Sequence, residues 1–137
     1  MNAEYQQGQI VYPGEGVEDS QLDELQTAHV EWLGKLGSQP VDLQMRLRRF
    51  AEEAAELCQA GGLDFMTFLK VALDSYSRPI GETGQEIGGT MVTLLCLAGV
   101  TGHSVDEEVR REFARINTPE MITKIALKQK DKAARGI

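Results

Sequence analysis

Apolar side chains recur at helical spacing through most of this chain. The clearest series is Leu43, Leu47, Phe50, Ala54 and Leu57, which follows a 4-3-4-3 spacing. That spacing keeps the apolar positions on one face of an α-helix for four turns. We therefore expect a helix whose apolar stripe faces the core.

Capping residues and breakers divide the chain into six predicted helices. Side chains typical of N-caps precede the apolar runs, namely Ser20, Asp42, Asp64 and Ser104. Glycines follow the second run at Gly61-Gly62, and Pro119 suits the first position of a last helix that ends near Lys130. No strand pattern is present. The predicted fold is all-α and similar to a four-helix bundle, with four main helices and shorter flanking ones.

The fourth predicted helix, from about Glu82 to Gly102, differs from the others. Between Ile87 and Val100 it is apolar nearly all round, which is typical of a helix buried on every side. We expect it to form the centre of the domain. The longest nearly uncharged stretch, Ile87–Val105, contains two adjacent glycines, three threonines and a histidine. These make it a poor membrane span, and no membrane partner is predicted.

The 137 residues fit one domain. Residues 1–18 hold three glycines and few periodic apolar positions, so we expect a flexible N-terminal arm and a single all-α domain over residues 19–137. The polar start has neither the basic nor the apolar segment of a targeting sequence. A cytoplasmic location is the resulting expectation.

Charge is distributed unevenly along the chain. The net charge of −7 argues against binding of duplex nucleic acid, and the 6% of aromatic residues argues against a stacking platform for single strands. Residues 110–137 hold eight basic and three acidic residues, a net +5, which leaves −12 for residues 1–109. Acidic and basic side chains in one protein suit a metal–phosphate ligand, which needs both. The competing interpretation is a solvated acidic surface balanced by a basic tail.

Three carboxylates occupy the middle of the second predicted helix. Glu52, Glu53 and Glu56 lie on one side of it, away from the apolar stripe, and Glu53 and Glu56 are one turn apart. Mg²⁺ takes oxygen ligands of this kind. The alternative is a solvated acidic face supported by neighbouring arginines.

Glu86 lies directly before the most apolar stretch of the chain, in the first turn of the fourth predicted helix. A carboxylate in such surroundings is costly unless it is compensated or close to water, although a helix N-terminus offsets part of that cost. Gly88 and Gly89 behind it are poor residues for a helix interior and suggest close approach of a backbone or a ligand.

Together these segments resemble a known family. "RFAEEAAEL" (Arg49–Leu57) followed by "QEIGGTMVTLLCLAG" (Gln85–Gly99) is similar to the all-α nucleotide pyrophosphohydrolases of the MazG-like superfamily. Their hallmark is EExxE on one helix and ExxD at the start of a later one. EExxE is Glu52–Glu56 here, and the later motif begins at Glu86. The resemblance covers roughly residues 30–130.

The resemblance implies hydrolysis of a nucleoside triphosphate to monophosphate and pyrophosphate, with Mg²⁺, or alternatively Mn²⁺, as cofactor. It assigns the metal to Glu53, Glu56 and Glu86, and makes Glu52 a further ligand or the group that orients the attacking water. ExxD requires Asp where this chain has Gly89, so one ligand of the pattern is missing. Glu82 is the preferred substitute, ahead of Asp74 and Asp106. The family also implies a homo-oligomer, a dimer or a tetramer.

Four further residues are candidates for contact with the substrate. Arg78 lies in a loop where it could reach a phosphate, while Asn117, Lys124 and Lys128 match positions that the family often places near the nucleotide. Solvated surface residues are the competing interpretation. The runner-up function is a catalytically degenerate module that binds nucleotide or a protein partner, and a third is a helical oligomerisation module. Trp32 is expected in the core rather than stacked on a base.

Overall fold

Helices form the body of the chain in the computed structural model, which describes residues 4–6, 9–11, 20–37 and 42–137. The helices are α1 (Gln21–Lys35), α2 (Leu43–Ala60), α3 (Phe65–Ser77), α4 (Thr83–Val100), α5 (Val105–Ile116) and α6 (Pro119–Ala134). The predicted all-α fold is confirmed, while the four-helix bundle stays a prediction. Helix α6 continues one turn beyond the predicted end.

The helices begin where the sequence places their caps. Each cap side chain accepts a hydrogen bond from the backbone N–H three residues later, which satisfies one of the free donors of the first turn. The pairs are Ser20 with Asp23 (3.2 Å), Asp42 with Met45 (3.1 Å), Asp64 with Thr67 (3.0 Å) and Ser104 with Glu107 (3.3 Å). Gly62, with φ of 89°, follows the end of α2 in a conformation that favours glycine.

A short hairpin precedes the helices. Strands β1 (Glu4–Gln6) and β2 (Gln9–Val11) pair antiparallel, with Glu4 opposite Val11. Sequence pattern does not predict this hairpin, because strands of three residues are too short to show an alternation of apolar and polar positions. The rest of the predicted flexible arm, residues 1–3, 7–8 and 12–18, lies outside the described residues.

Helix α1 lies against α5 through aromatic side chains. The indole Nε1 of Trp32 donates to the carbonyl of Ile116 at 3.3 Å, and the rings of His29 and Phe113 lie 4.1 Å apart between centroids. Trp32 is buried, as predicted, together with Leu36. In the described part of the chain these two are the buried hydrophobic residues.

The predicted core positions of α2 and α4 are not buried within the chain. Leu43, Leu47, Phe50 and Leu57 of α2 are exposed, and α4 has no buried residue. The expectation that α4 forms the buried centre is therefore wrong for the single chain. The spacing of apolar residues predicts the helix correctly, but it does not show which element covers the apolar face.

No single described helix is long and apolar enough to cross a membrane. Helices Thr83–Val100 and Val105–Ile116 pass such a test only as a pair, by length and composition, with a bend of 101° between them.

Candidate functional site

One pocket gathers most of the charged side chains that the sequence singles out. It has a volume of about 500 Å³ and is bounded by α1, α2, α5 and α6. Its lining includes Trp32, Arg46, Arg49, Glu52, Glu53, Glu56, Glu112, Arg115, Lys124, Lys128, Gln129 and Lys132. Two further depressions are lined by described residues of α1 only. We call the first one the charged pocket.

Helix α2 turns its charged face toward α6 to form this pocket. Arg46 donates from Nη2 to Oε1 of Gln129 at 3.0 Å. Two turns further on, Glu52 accepts from the ammonium group of Lys132 and lies 2.9 Å from Nη1 of Arg49. Because Arg46, Arg49 and Glu52 follow each other at intervals of three residues, they lie on one side of the helix.

The charged pocket is positive although the chain is acidic. Six basic side chains line it against four glutamates, a net charge of +2 in a chain of net −7. The basic C-terminal segment meets the acidic part of the chain here, because Lys124, Lys128 and Lys132 extend from α6 toward α2. Such a site attracts anions, and the effect is strongest where solvent screening is weakest.

Some polar groups of the pocket keep free hydrogen-bonding capacity. Lys124 and Lys128, one turn apart, make no hydrogen bond or ion pair with another described residue. The Nε and Nη1 atoms of Arg49 are buried and have no hydrogen-bond acceptor among the described residues, since Nη1 is close to Glu52 without the geometry of a hydrogen bond. Buried donors without an acceptor are costly, so these atoms are well suited to an incoming anion.

The glutamates of α2 differ in their tendency to ionise. The hydrogen bond from Lys132 lowers the pKa of Glu52, with help from the charges of Arg49 and Lys128. Burial raises the pKa of Glu53, and so do the nearby carboxylates of Glu56, Glu52 and Glu112. A nearby cation would therefore favour the ionised form of Glu53.

Two more groups in the pocket are perturbed by their neighbours. The hydrogen bond from Arg115 lowers the pKa of Glu112, and burial lowers the pKa of the Arg46 guanidinium, reinforced by Arg49. Perturbed ionisable groups concentrate at functional sites, although structural ion pairs produce them too.

The structure brings five of the predicted site residues together. Glu52, Glu53 and Glu56 of α2 face Lys124 and Lys128 of α6 across the charged pocket. Glu53 and Glu56 make no hydrogen bond or ion pair with another described residue, whereas Glu52 is paired.

The predicted metal ligands of α4 do not line this pocket. Glu82 is the N-cap of α4 and accepts from the backbone N–H groups of Gly84 (2.9 Å) and Gln85 (2.8 Å), which lowers its pKa. The carboxylate of Glu86 folds back over Gly81, so a side chain at position 81 would require the Glu86 side chain to move. Among the described residues, no three His, Cys, Asp or Glu side chains are grouped so that they could hold a metal ion. Glu82 therefore caps α4 in the single chain, and its role as substitute for the missing Asp stays a prediction.

Arg78 and Asn117 also lie outside the lining of the pocket. Arg78 donates to Oγ of Ser75 at 3.1 Å and lies 3.7 Å from the carboxylate of Asp74. Asn117 caps the C-terminal end of α5 and accepts from Lys35 at 3.1 Å.

The sequence did not identify five charged residues of the pocket as site residues. They are Arg46, Arg49, Glu112, Arg115 and Lys132. Spacing within α2 groups Arg46 and Arg49 with Glu52, and spacing within α5 groups Glu112 with Arg115. It does not tell which helix lies opposite, and this is why the opposing pair Lys132 and Glu52, 80 residues apart, could not be found.

The resemblance to the MazG-like superfamily depends on motif residues of two helices. The structure places the motif Glu52–Glu56 at the charged pocket and Glu86 on a separate helix. The comparisons with known proteins lend the resemblance no further support. No model of a protein family, no curated protein and no solved structure matches this chain.

Proposed function

We propose that this chain is a nucleotide pyrophosphohydrolase that depends on Mg²⁺ or Mn²⁺ and binds a nucleoside triphosphate in the charged pocket. One observation carries the proposal: the pocket combines unpaired carboxylates with an excess of basic side chains. A metal–polyphosphate ligand needs both, because the cation requires oxygen ligands and the phosphates require positive charge.

Glu53 and Glu56 are the residues that would hold the metal. Both are unpaired and one turn apart, and Mg²⁺ at phosphate sites is commonly bound by one or two carboxylates together with waters and phosphate oxygens. The ion, when bound, supplies neutralisation of the triphosphate and a water of lowered pKa. The two carboxylates fit that role without a third protein ligand.

The other residues of the pocket have distinct roles in this proposal. Lys124 and Lys128 bind phosphate oxygens, since neither makes a hydrogen bond or an ion pair with another described residue. Arg49 offers its unsatisfied donors to the same anion. Glu52 is held ionised by Lys132, so it orients a water molecule rather than storing a proton.

A second candidate is a module that binds nucleotide without hydrolysing it, or that binds a protein partner. It is favoured by the separation of Glu82 and Glu86 from the charged pocket and by Gly89 in place of the family Asp. In this case the pocket keeps its basic side chains but lacks a complete metal site.

Release of pyrophosphate from a panel of nucleoside triphosphates, with Mg²⁺ or Mn²⁺ present, tests the proposal. We expect Glu53→Gln and Glu56→Gln to lower turnover by about 100-fold or more, since each removes a charged group at the reacting centre. Glu120→Gln, a first-turn residue of α6 outside the pocket, is the matched control. Lys124→Gln and Lys128→Gln should raise KM, whereas Lys130→Gln on the same helix should not.

Calorimetry with Mg²⁺ and a non-hydrolysable triphosphate separates the two candidates. Binding without turnover, weakened by Lys124→Gln, favours the binding module. Turnover that survives Glu53→Gln and Glu56→Gln contradicts the assignment of the site. A protein that shows no nucleotide binding and no turnover contradicts both functions.

A further inference from the structure

The charged pocket has an apolar end that has no role in the proposed function so far. Trp32, Ile116, Met121 and Ile125 form it. Ile116 is the last residue of α5 and its carbonyl accepts from the indole of Trp32, while Met121 lies in the first turn of α6. This end is therefore at the connection between α5 and α6. Its residues other than Trp32 are only partly buried, so they leave apolar surface open to the pocket.

One side of α6 changes from apolar to basic along the pocket. Met121, Ile125, Lys128 and Lys132 follow each other at intervals of four, three and four residues, which places them on one side of the helix. At a rise of about 1.5 Å per residue, this stripe is about 16 Å long. The pocket thus offers apolar contact at one end and positive charge at the other.

The contacts with α2 are made at the basic end of the stripe. Arg46 donates to Gln129, and Lys132 donates to Glu52. The unsatisfied donors of Arg49 lie between these two contacts along α2. An anion is therefore best satisfied at this end, away from the connection between α5 and α6.

The apolar end offers little for a hydrogen-bonding ligand. Its four side chains carry one conventional hydrogen-bonding group, the indole N–H of Trp32, which is already donated at 3.3 Å. A planar ring system at this end is recognised by its apolar faces, because the hydrophobic effect is proportional to the area removed from water and has no direction. Exocyclic amino and carbonyl groups then contribute little to selection.

We propose that the charged pocket binds a nucleotide in one orientation, with the base against Met121 and Ile125 and the phosphates toward Lys128 and Lys132. The volume of about 500 Å³ lies within the range of about 300–1,000 Å³ for small-molecule sites. Because apolar contact recognises the base, adenine and guanine nucleotides bind alike. The orientation rests on the proposed function, which supplies the phosphate site.

Calorimetry with two probes in the presence of Mg²⁺ tests the orientation. Inorganic tripolyphosphate carries the anion alone, whereas the α,β-methylene analogue of adenosine triphosphate adds the base and is not hydrolysed between its α and β phosphates. We expect Met121→Gln and Ile125→Gln each to weaken binding of the analogue by about 10-fold, since small changes of apolar contact in a pocket have this effect. Binding of tripolyphosphate should not change.

Two further variants of α6 are the references for this experiment. Lys128→Gln should weaken binding of both probes, because both present phosphate to the basic end. Leu127→Gln should weaken neither, since Leu127 lies outside the lining of the pocket and is 64% exposed.

Fluorescence of the unchanged protein covers the case in which Met121→Gln and Ile125→Gln fail to fold. Trp32 is the one tryptophan of the chain and lines the apolar end. The analogue should alter its emission, and tripolyphosphate should alter it much less.

Three results overturn the orientation or its basis while the phosphate site stands. The first is a variant of Met121 or Ile125 that folds and binds the analogue as tightly as the unchanged chain. The second is an emission of Trp32 that tripolyphosphate alters as much as the analogue does. The third is a clear preference for the adenine over the guanine analogue, which indicates hydrogen bonding to the base. If neither probe binds, the proposed function fails and the orientation fails with it.

Discussion

The charged pocket and the α3–α4 segment, residues 65–100, present different surfaces: the first is charged and the second is apolar. At the pocket, α2 and α6 meet through charged side chains, including the pair of Glu52 and Lys132. In the α3–α4 segment, apolar side chains such as Val92 and Leu95 lie exposed. The single chain thus makes charged contacts between its own helices and leaves apolar side chains exposed, so its own helices do not cover every apolar face.

The largest expected effect concerns the apolar half of this comparison. Leu95→Ala should lower the free energy of unfolding by about 2–4 kcal/mol if the side chain is covered in solution. The same change at exposed Leu22 should cost less than about 0.5 kcal/mol. Thermal melts at several protein concentrations provide the measurement, and Tm should rise with concentration if the surface that covers Leu95 belongs to a second molecule. Equal effects of the two substitutions would contradict the expectation that Leu95 is covered in solution while Leu22 stays exposed.

The next effect concerns the charged half. Glu52→Gln and Lys132→Met, alone and together, should reveal a coupling of about 0.5–1 kcal/mol in urea unfolding. The exposed pair of Asp106 and Arg110, an i,i+4 contact, is the matched control and should give less.

The pH dependence of unfolding provides a second test of the pair of Glu52 and Lys132. Because the pKa of Glu52 is lowered in the folded chain, its stabilisation is present above about pH 4.3, the ordinary value for Glu, and is lost as the pH falls through the folded value. Glu52→Gln should therefore lose less stability on acidification than the unchanged chain. An identical pH dependence of the two proteins would refute the role of Lys132 as the partner of Glu52.

The smallest expected effect concerns Glu53, where the substitution should raise the free energy of unfolding rather than lower it. Its raised pKa means that the folded chain favours the protonated form, so Glu53→Gln should stabilise by a few tenths of a kcal/mol at neutral pH. That gain disappears at a pH below about 4, where the carboxyl is protonated in both states. Thermal melts in chelator should show it, and added Mg²⁺ should stabilise the unchanged chain more than the variant. Glu120→Gln should respond to neither condition.

The sequence by itself determined the helices. Ser20, Asp42, Asp64 and Ser104 fix where four of them begin, because a cap acts on the backbone of its own first turn. It also determined that Glu52, Glu53 and Glu56 share one side of α2, since helical geometry sets that directly.

Tertiary structure alone decided what each helix faces. The contact of Lys132 with Glu52, 80 residues apart, follows from which elements lie together, and spacing along the chain carries no such information. The same holds for the apolar stripe of α2, which the pattern predicts as core and the single chain leaves exposed. An apolar face is stabilised equally by its own chain or by a partner, because the hydrophobic effect depends on area removed from water and not on connectivity.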